Sequence, residues 1–215
     1  MNVFANAHVA AEYDDYYLSG HGRRMDAVEK RAMDEVIRPV EPGYLLEVGS
    51  GTGHWTQYFL ERGFAVTASE VSEPMLARLR SKGLPVEEIV RASVLDLPFA
   101  DDSFDQVAVV TALEFCGDIP RALAEIRRVL RPGGWVVAGC LNADSELGKG
   151  RADNPVYSHG EFMTRRKVES LFATVGTTSI RECAFLSPSF ELLDGTATAK
   201  DVQGAFFAVA ARKEK

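Results

Sequence analysis

The stretch Leu45–Thr56, LLEVGSGTGHWT, decides how this chain is read. A short apolar run carries an acid, Glu47. Three glycines follow at alternate positions, Gly49, Gly51 and Gly53, and then a helix-like run, HWTQYFLERG, closed by Gly63. Glycines in such a strand-to-helix turn permit positive φ and let the backbone approach a ligand closely. The first turn of the following helix offers free N–H groups. One glycine would suit an empty tight turn; three behind a buried strand point to a ligand. A P-loop requires a lysine after its last glycine, and here His54, Trp55 and Thr56 follow Gly53. A dinucleotide fingerprint, counted from Gly49, wants its third glycine where His54 stands. Glu47 ahead of the glycines would repel a diphosphate and suits a cationic amine.

Outward from that turn, strands and helices alternate. Upstream, residues 22–38 place Met25, Val28, Ala32, Val36 and Ile37 at helical spacing, with Pro39 and Pro42–Gly43 as stops. Residues 1–20 are aromatic and acidic, with helical character. Downstream come a second strand, FAVTASE, and a helix, EPMLARLRSKG, with Pro74 in its first turn and Gly83 at its end. A strand around EEIVRAS and a loop, VLDLPFADDSF, lead to DQVAVVTAL, an apolar run of the kind a sheet covered on both faces requires. IPRALAEIRRVL is an amphipathic helix stopping at RPGG, followed by a buried strand, WVVAGCLN. Strand and helix repeating in this way predict right-handed βαβ units around a parallel sheet. The tail differs: a helix, VESLFATVG, then TSIRECAFL and GAFFAVAARK, two strands joined by a polar loop, predict an antiparallel pair at one edge. Residues 142–164 form a long polar loop after a strand end, where open α/β sheets bind ligands.

Bulk properties narrow the function. The 215 residues suit one domain, and the net charge of −7 disfavours nucleic acid, whose phosphates are held by Lys and Arg. The nearest basic block, Arg165–Lys167, reads as a solvated helix face. No apolar run approaches membrane-spanning length, and the N-terminus lacks the pattern of a secretory signal. Cys116, Cys140 and Cys183 are sparse and form no C-x-x-C, so each is expected to be a small buried hydrophobe in a reducing, cytoplasmic compartment, with no metal site.

Four blocks, in order, resemble a known family. LLEVGSGTGHWT is similar to the cofactor glycine loop of class I S-adenosylmethionine-dependent methyltransferases. VTASEVSEPML resembles their second-strand block, LDLPFADDSFDQVAVVTALEF their fourth-strand block, and ALAEIRRVLRPGG the helix and turn before their fifth strand. The likeness runs over roughly Tyr13 to Leu141 and is closest to the small-molecule branch that includes the ubiquinone/menaquinone (type 11) methyltransferases.

The resemblance implies an α/β, Rossmann-like, doubly wound fold. Its mostly parallel seven-stranded sheet would end in an antiparallel C-terminal edge hairpin, all within one domain of residues 1–215. Residues 1–40 would be a helical cap, 41–141 the cofactor-binding core, and 142–215 the substrate-side loop, helix and edge strands. The implied cofactor is S-adenosyl-L-methionine, with S-adenosyl-L-homocysteine as product. Glu47, Gly49, Ser50, Gly51 and Gly53 would form its loop. Glu70, at the end of the second strand, can accept charge-assisted hydrogen bonds from both ribose hydroxyls. Val71 and Met75 would flank the adenine, although Met75 is equally placed for the core. Ser93 stands where relatives often carry an Asp for the adenine amino group, with the backbone at Val94 and Leu95 serving the ring. Thr111 and Ala112, followed by Leu113, would pass beneath the methionine portion. In YDDYYLSGHG, Tyr17 and Gly22 would touch the cofactor, with Asp14 and Asp15 facing solvent.

In-line methyl transfer needs no fixed catalytic group unless the nucleophile must lose a proton. Glu114, His159, His21 and His54 are candidates for that task, and none is singled out. The acceptor is expected to be a small molecule, held by the N-terminal segment and near residues 114–118, 142–164 and 187–203 in a monomer or homodimer. A non-catalytic binding protein on the same fold and an NAD-binding oxidoreductase are the competing readings.

Overall fold

A computed structural model describes residues 3–193 and 202–214. Seven strands form one sheet: β1 (Tyr44–Val48), β2 (Ala65–Glu70), β3 (Glu88–Arg91), β4 (Phe104–Val110), β5 (Leu130–Leu141), β6 (Gly176–Phe185) and β7 (Gly204–Lys213), in the order β3-β2-β1-β4-β5-β7-β6. The first five pair in parallel; β7 is antiparallel to both β5 and β6. The expected C-terminal hairpin is present. Its second strand lies inside the sheet and its first forms the edge.

Alternation along the strands builds two apolar layers. Leu45, Ala108 and Val110 join one core, and Leu46, Val107 and Val109 the other. Helix α3 (Gly20–Ile37) covers the first face with Met25, Ala32, Met33, Val36 and Ile37, and Ser19 caps its start by accepting from Gly22 N at 2.9 Å. Helix α6 (Ile119–Val129) covers the second face. Its buried Ile119, Ala122, Leu123, Ile126 and Val129 follow the i, i+3, i+4, i+7 rule. Burying each large aliphatic side chain there stabilises by roughly 1.5–3 kcal/mol. Helix α4 (His54–Leu60) follows β1, and α5 (Glu73–Ser81) follows β2 with Ser72 as N-cap. Two short helices, α1 (Ala7–Glu12) and α2 (Asp15–Leu18), precede α3.

Two local readings change. The RPGG stretch does not separate helix from strand: Leu130 already pairs with Phe104, and Arg131–Gly134 bulge inside β5 before Trp135 pairs with Gln106. The bulge is possible because Gly133 takes φ 77°. Residues 142–164 are not a bare loop. They contain α7 (Glu146–Lys149) and single 3-10 turns at Arg151–Asp153 and Tyr157–His159, and an Asn142–Met163 bridge closes their ends. Helix α8 (Arg165–Phe172) then leads to β6. Of the expected substrate loop 187–203, residues 194–201 lie outside the described residues.

The chain winds outward from β1 to β3 and then returns to place β4 on the other side of β1. That reversal leaves a crevice beyond the carboxyl ends of β1 and β4, the place where open α/β sheets bind ligands.

Candidate functional site

The crevice is a cavity of about 390 Å³, within the roughly 300–1,000 Å³ usual for small-molecule sites. Its floor is the glycine turn. Gly49, Gly51 and Gly53 all have positive φ (72°, 54° and 89°). Each glycine has its own reason. A Cβ on Gly49 would sit 2.4 Å from Ala112 Cβ, and one on Gly53 would sit 2.3 Å from Leu79 Cδ1. A Cβ on Gly51 would meet nothing within 4 Å, because it would stand in the cavity itself.

Glu70 ends β2 at one side of the cavity. Its carboxylate accepts from Gly51 N at 3.2 Å and Ser72 N at 2.8 Å, so the glycine turn and α5 are both keyed to it. Burial raises its pKa, and those backbone donors oppose the rise. Val71, Met75, Ser93 and Val94 continue the wall beyond Glu70, and Thr111 and Ala112 form the opposite wall at the end of β4. Met75, 1% exposed, is at once core and wall. Ser93 Oγ already accepts from Leu95 N at 3.2 Å and keeps its hydroxyl hydrogen free to aim elsewhere. Thr111 has φ 49°, an outlier for a β-branched residue, and its N–H is held by Gly139 O at 2.8 Å. Such strain concentrates at ligand sites.

The remaining predicted residues lie off the cavity wall. Glu47, 2% exposed, takes a hydrogen bond from the Thr56 hydroxyl, and burial pushes its pKa up to about 8 against that donor, with Glu70 adding repulsion. Ser50 supports the turn through its backbone, its N–H on Ser69 O and its carbonyl on Gly53 N, while its buried hydroxyl has no protein partner. Leu95 packs on the second core. Tyr17 stacks on His54 with ring centroids 3.6 Å apart, and Gly22 lies in the first turn of α3, where a Cβ would overlap Tyr16 O.

Of the candidate bases, His54 Nε2 lies 2.6 Å from Asp26 Oδ1, and His159 is exposed. Glu114 is buried in the turn after β4. One carboxylate oxygen accepts from Leu141 N at 2.7 Å and the other has no protein partner. Burial raises its pKa to about 7.

Phe4, Tyr13, Phe115, Cys116 and Gly117 also line the cavity; they belong to the N-terminal segment and to residues 114–118, where the sequence places the acceptor, but no motif singles them out individually. Cys116 is thus part of the wall and only partly buried, unlike Cys140 and Cys183. Asp14 does not simply face solvent: it accepts from Thr52 Oγ1 at 2.6 Å and pairs with Lys82 Nζ at 2.9 Å. The run of aromatics in YDDYY was the available signal for this cap. No Lys, Arg or His lines the cavity among the described residues, and no cluster of three metal-ligating side chains occurs among them. No helix is long and apolar enough to cross a membrane.

Comparison with known proteins fits this geometry. A family model described as a methyltransferase domain matches residues 46–138, from β1 into β5. A structure of an S-adenosylmethionine-dependent methyltransferase from Thermotoga maritima, described as a possible histamine N-methyltransferase, superposes with a TM-score of 0.76, covering 98% of each chain at 24% identity. The fold is that of the class I S-adenosylmethionine-dependent methyltransferases. Within that methyltransferase fold, the chain is 38% identical over 135 residues to the ubiquinone/menaquinone biosynthesis C-methyltransferase of Paracoccus denitrificans, over 59% of this chain and 53% of that protein. It spans about half the length of such curated methyltransferases. It is also 26% identical to an uncharacterized protein of Methanocaldococcus jannaschii, over 99% of this chain and 100% of that one. The chain is thus related to small-molecule methyltransferases.

Proposed function

We propose that this protein is an S-adenosylmethionine-dependent methyltransferase that methylates a small molecule by in-line displacement and releases S-adenosylhomocysteine. The observation that carries the reading is the convergence of the glycine turn, Glu70, Ser93–Val94 and Thr111–Ala112 on one cavity without a basic side chain. A diphosphate would find no cation there. The open face of Gly51, the carboxylate of Glu70 and the unpaired hydroxyl hydrogen of Ser93 fit a nucleoside.

When bound, S-adenosylmethionine supplies an electrophilic methyl carbon on a sulfonium. The chain's own residues orient it. Glu70 accepts from the ribose hydroxyls, at the position where its oxygens already gather N–H donors. Val71 and Met75 pack against the adenine, and Ser93 and Val94 meet its polar edge. The glycine turn and the strained Thr111–Ala112 segment hold the amino-acid portion. The cap carrying Phe4 and Tyr13 keeps water from the reacting carbon, so rate comes from positioning and dryness. A reducing, cytoplasmic setting suits three cysteines that form no disulfide.

Calorimetric titration with S-adenosylhomocysteine and, separately, NADH tests the reading. Saturable binding of the first alone is expected, and transfer of labelled methyl to a metabolite fraction should accompany it. Binding of NADH alone would reject the reading.

A further inference from the structure

Strand β4 hands over to the cavity wall through a strained residue. Among the described residues, four that are not glycine have positive φ: Asp102, Thr111, Ala184 and Phe190. Of these, Thr111 alone is β-branched and Thr111 alone lines the cavity. A branched side chain crowds the backbone in the left-handed region, where glycine fits without strain. Glycine at 111 would relieve the crowding, yet the chain carries threonine there.

The surroundings impose the conformation. Thr111 N donates to Gly139 O at 2.8 Å, which continues the bonding of β4 to β5. Beyond it the chain turns at once. Ala112, at φ −120° and ψ −29°, opens the 3-10 turn Leu113–Phe115. Glu114 in that turn is fixed twice: its carboxylate accepts from Leu141 N at 2.7 Å, and its carbonyl accepts from Glu161 N at 2.7 Å. With Thr111 N and Glu114 both held, the backbone between them must double back, and Thr111 absorbs the reversal. The reversal sets Ala112 against Gly49, where a Cβ on the glycine would lie 2.4 Å from that of Ala112. It also leaves Phe115, Cys116 and Gly117 along the wall. A disfavoured conformation kept at a site wall, where a different residue would be more stable, marks strain retained for function.

The side chain is free for a task. The Thr111 hydroxyl makes no hydrogen bond to any described residue. It can donate one hydrogen bond and accept two. No Lys, Arg or His lines the cavity among the described residues. A charged amino-acid group bound there, its carboxylate above all, would have to be met by neutral donors.

We propose that the strain at Thr111 serves the ligand: its left-handed backbone and its free hydroxyl together grip the amino-acid portion of the cofactor, in a fold that glycine at 111 would make more stable. The inference rests on the methyltransferase reading and deepens it by naming the side-chain group that holds this portion. The hydroxyl hydrogen-bonds it, and the reversed backbone keeps Ala112 and Gly49 at the spacing that receives it. The nucleoside, held at Glu70 and Ser93, does not depend on Thr111.

The test uses the full chain with Thr111→Gly, Thr111→Ala and Thr111→Val, and two probes, S-adenosylhomocysteine and methylthioadenosine. The second keeps the nucleoside and the thioether sulfur but lacks the amino-acid portion. Without ligand, Thr111→Gly should melt about 2–4 °C above Thr111→Ala, because both lack the hydroxyl and only alanine keeps a Cβ in the left-handed region. In calorimetry, Thr111→Gly and Thr111→Val should each bind S-adenosylhomocysteine about tenfold more weakly than the unaltered chain. Methylthioadenosine should stay within about twofold. Stability gained by removing the Cβ, joined to an affinity loss confined to one part of the ligand, is a combination that a merely structural role would not produce. Thr111→Gly melting no higher than Thr111→Ala, either variant binding S-adenosylhomocysteine as the unaltered chain does, or equal weakening of both probes would each overturn the proposal. Failure of either probe to bind the unaltered chain would instead reject the methyltransferase reading beneath it.

Discussion

Glu70 and Glu47 are both acids near strand ends, and the structure gives them different work. Glu70 reaches the cavity and gathers backbone donors, whereas Glu47 is sealed against Thr56. Replacing Glu70 by Ala should weaken S-adenosylhomocysteine binding about 10- to 100-fold, the scale of losing charge-assisted hydrogen bonds. Unchanged affinity in calorimetry would reject its ribose role. Glu47 makes a prediction about pH. Its folded pKa, about 8, lies above the ordinary 4.5. Between those values the folded protein keeps a proton that the unfolded chain has released. Its contribution to stability is therefore full below about pH 4.5 and is lost as pH rises toward 8. Glu47→Gln should be nearly neutral at pH 5 and stabilising at pH 8, by on the order of 1–3 kcal/mol. Denaturant unfolding at the two pH values checks this, and an equal effect at both would contradict it. The roles of Gly49, Gly51 and Gly53 were legible because alternate glycines restrict what a turn can do. The lack of a partner for Glu114 Oε2 was not, since nothing in TALEF shows that Leu141 takes only one of its oxygens.

Among elements, the cap over the cavity owes its place to contacts distant in sequence. Ser72 Oγ donates to Phe4 O at 2.6 Å, Arg78 to Ala11 O at 3.0 Å, and Thr52 Oγ1 to Asp14 Oδ1 at 2.6 Å. These bonds tie residues 4–14 to the glycine turn and α5. Asp14→Ala removes the contact to Thr52 and the ion pair with Lys82 together. Because the pair is partly solvated, its worth is discounted; dissociation of S-adenosylhomocysteine should speed up about three- to tenfold. Stopped-flow displacement reads this, and an unchanged off-rate would separate the cap from the site. The cap's helices were only faintly legible, because short polar segments gain their shape from what they dock on. α6 was plain, since its apolar stripe repeats over three turns. The RPGG bulge escaped notice because proline and glycine ordinarily mark a break, and here they turn within a paired strand.

For the whole molecule, the order β3-β2-β1-β4-β5-β7-β6 follows from βαβ units that wind one way and then return. The acid excess of the chain, net −7, carries into the cavity: Glu70 is on its wall, with Glu47 and Glu114 buried close by. The sheet was largely readable because continuous apolar strands separated by amphipathic helices leave few alternatives. The rim of the cavity was not, because Phe4, Tyr13 and Phe115 meet there from segments far apart in the chain. We propose that the crevice between β1 and β4 holds the nucleoside of S-adenosylmethionine and not a dinucleotide. Calorimetry with S-adenosylhomocysteine and with NADH tests it most directly. Saturable one-to-one binding of S-adenosylhomocysteine with no heat from NADH is the predicted result, and saturable NADH binding with none of S-adenosylhomocysteine would contradict it.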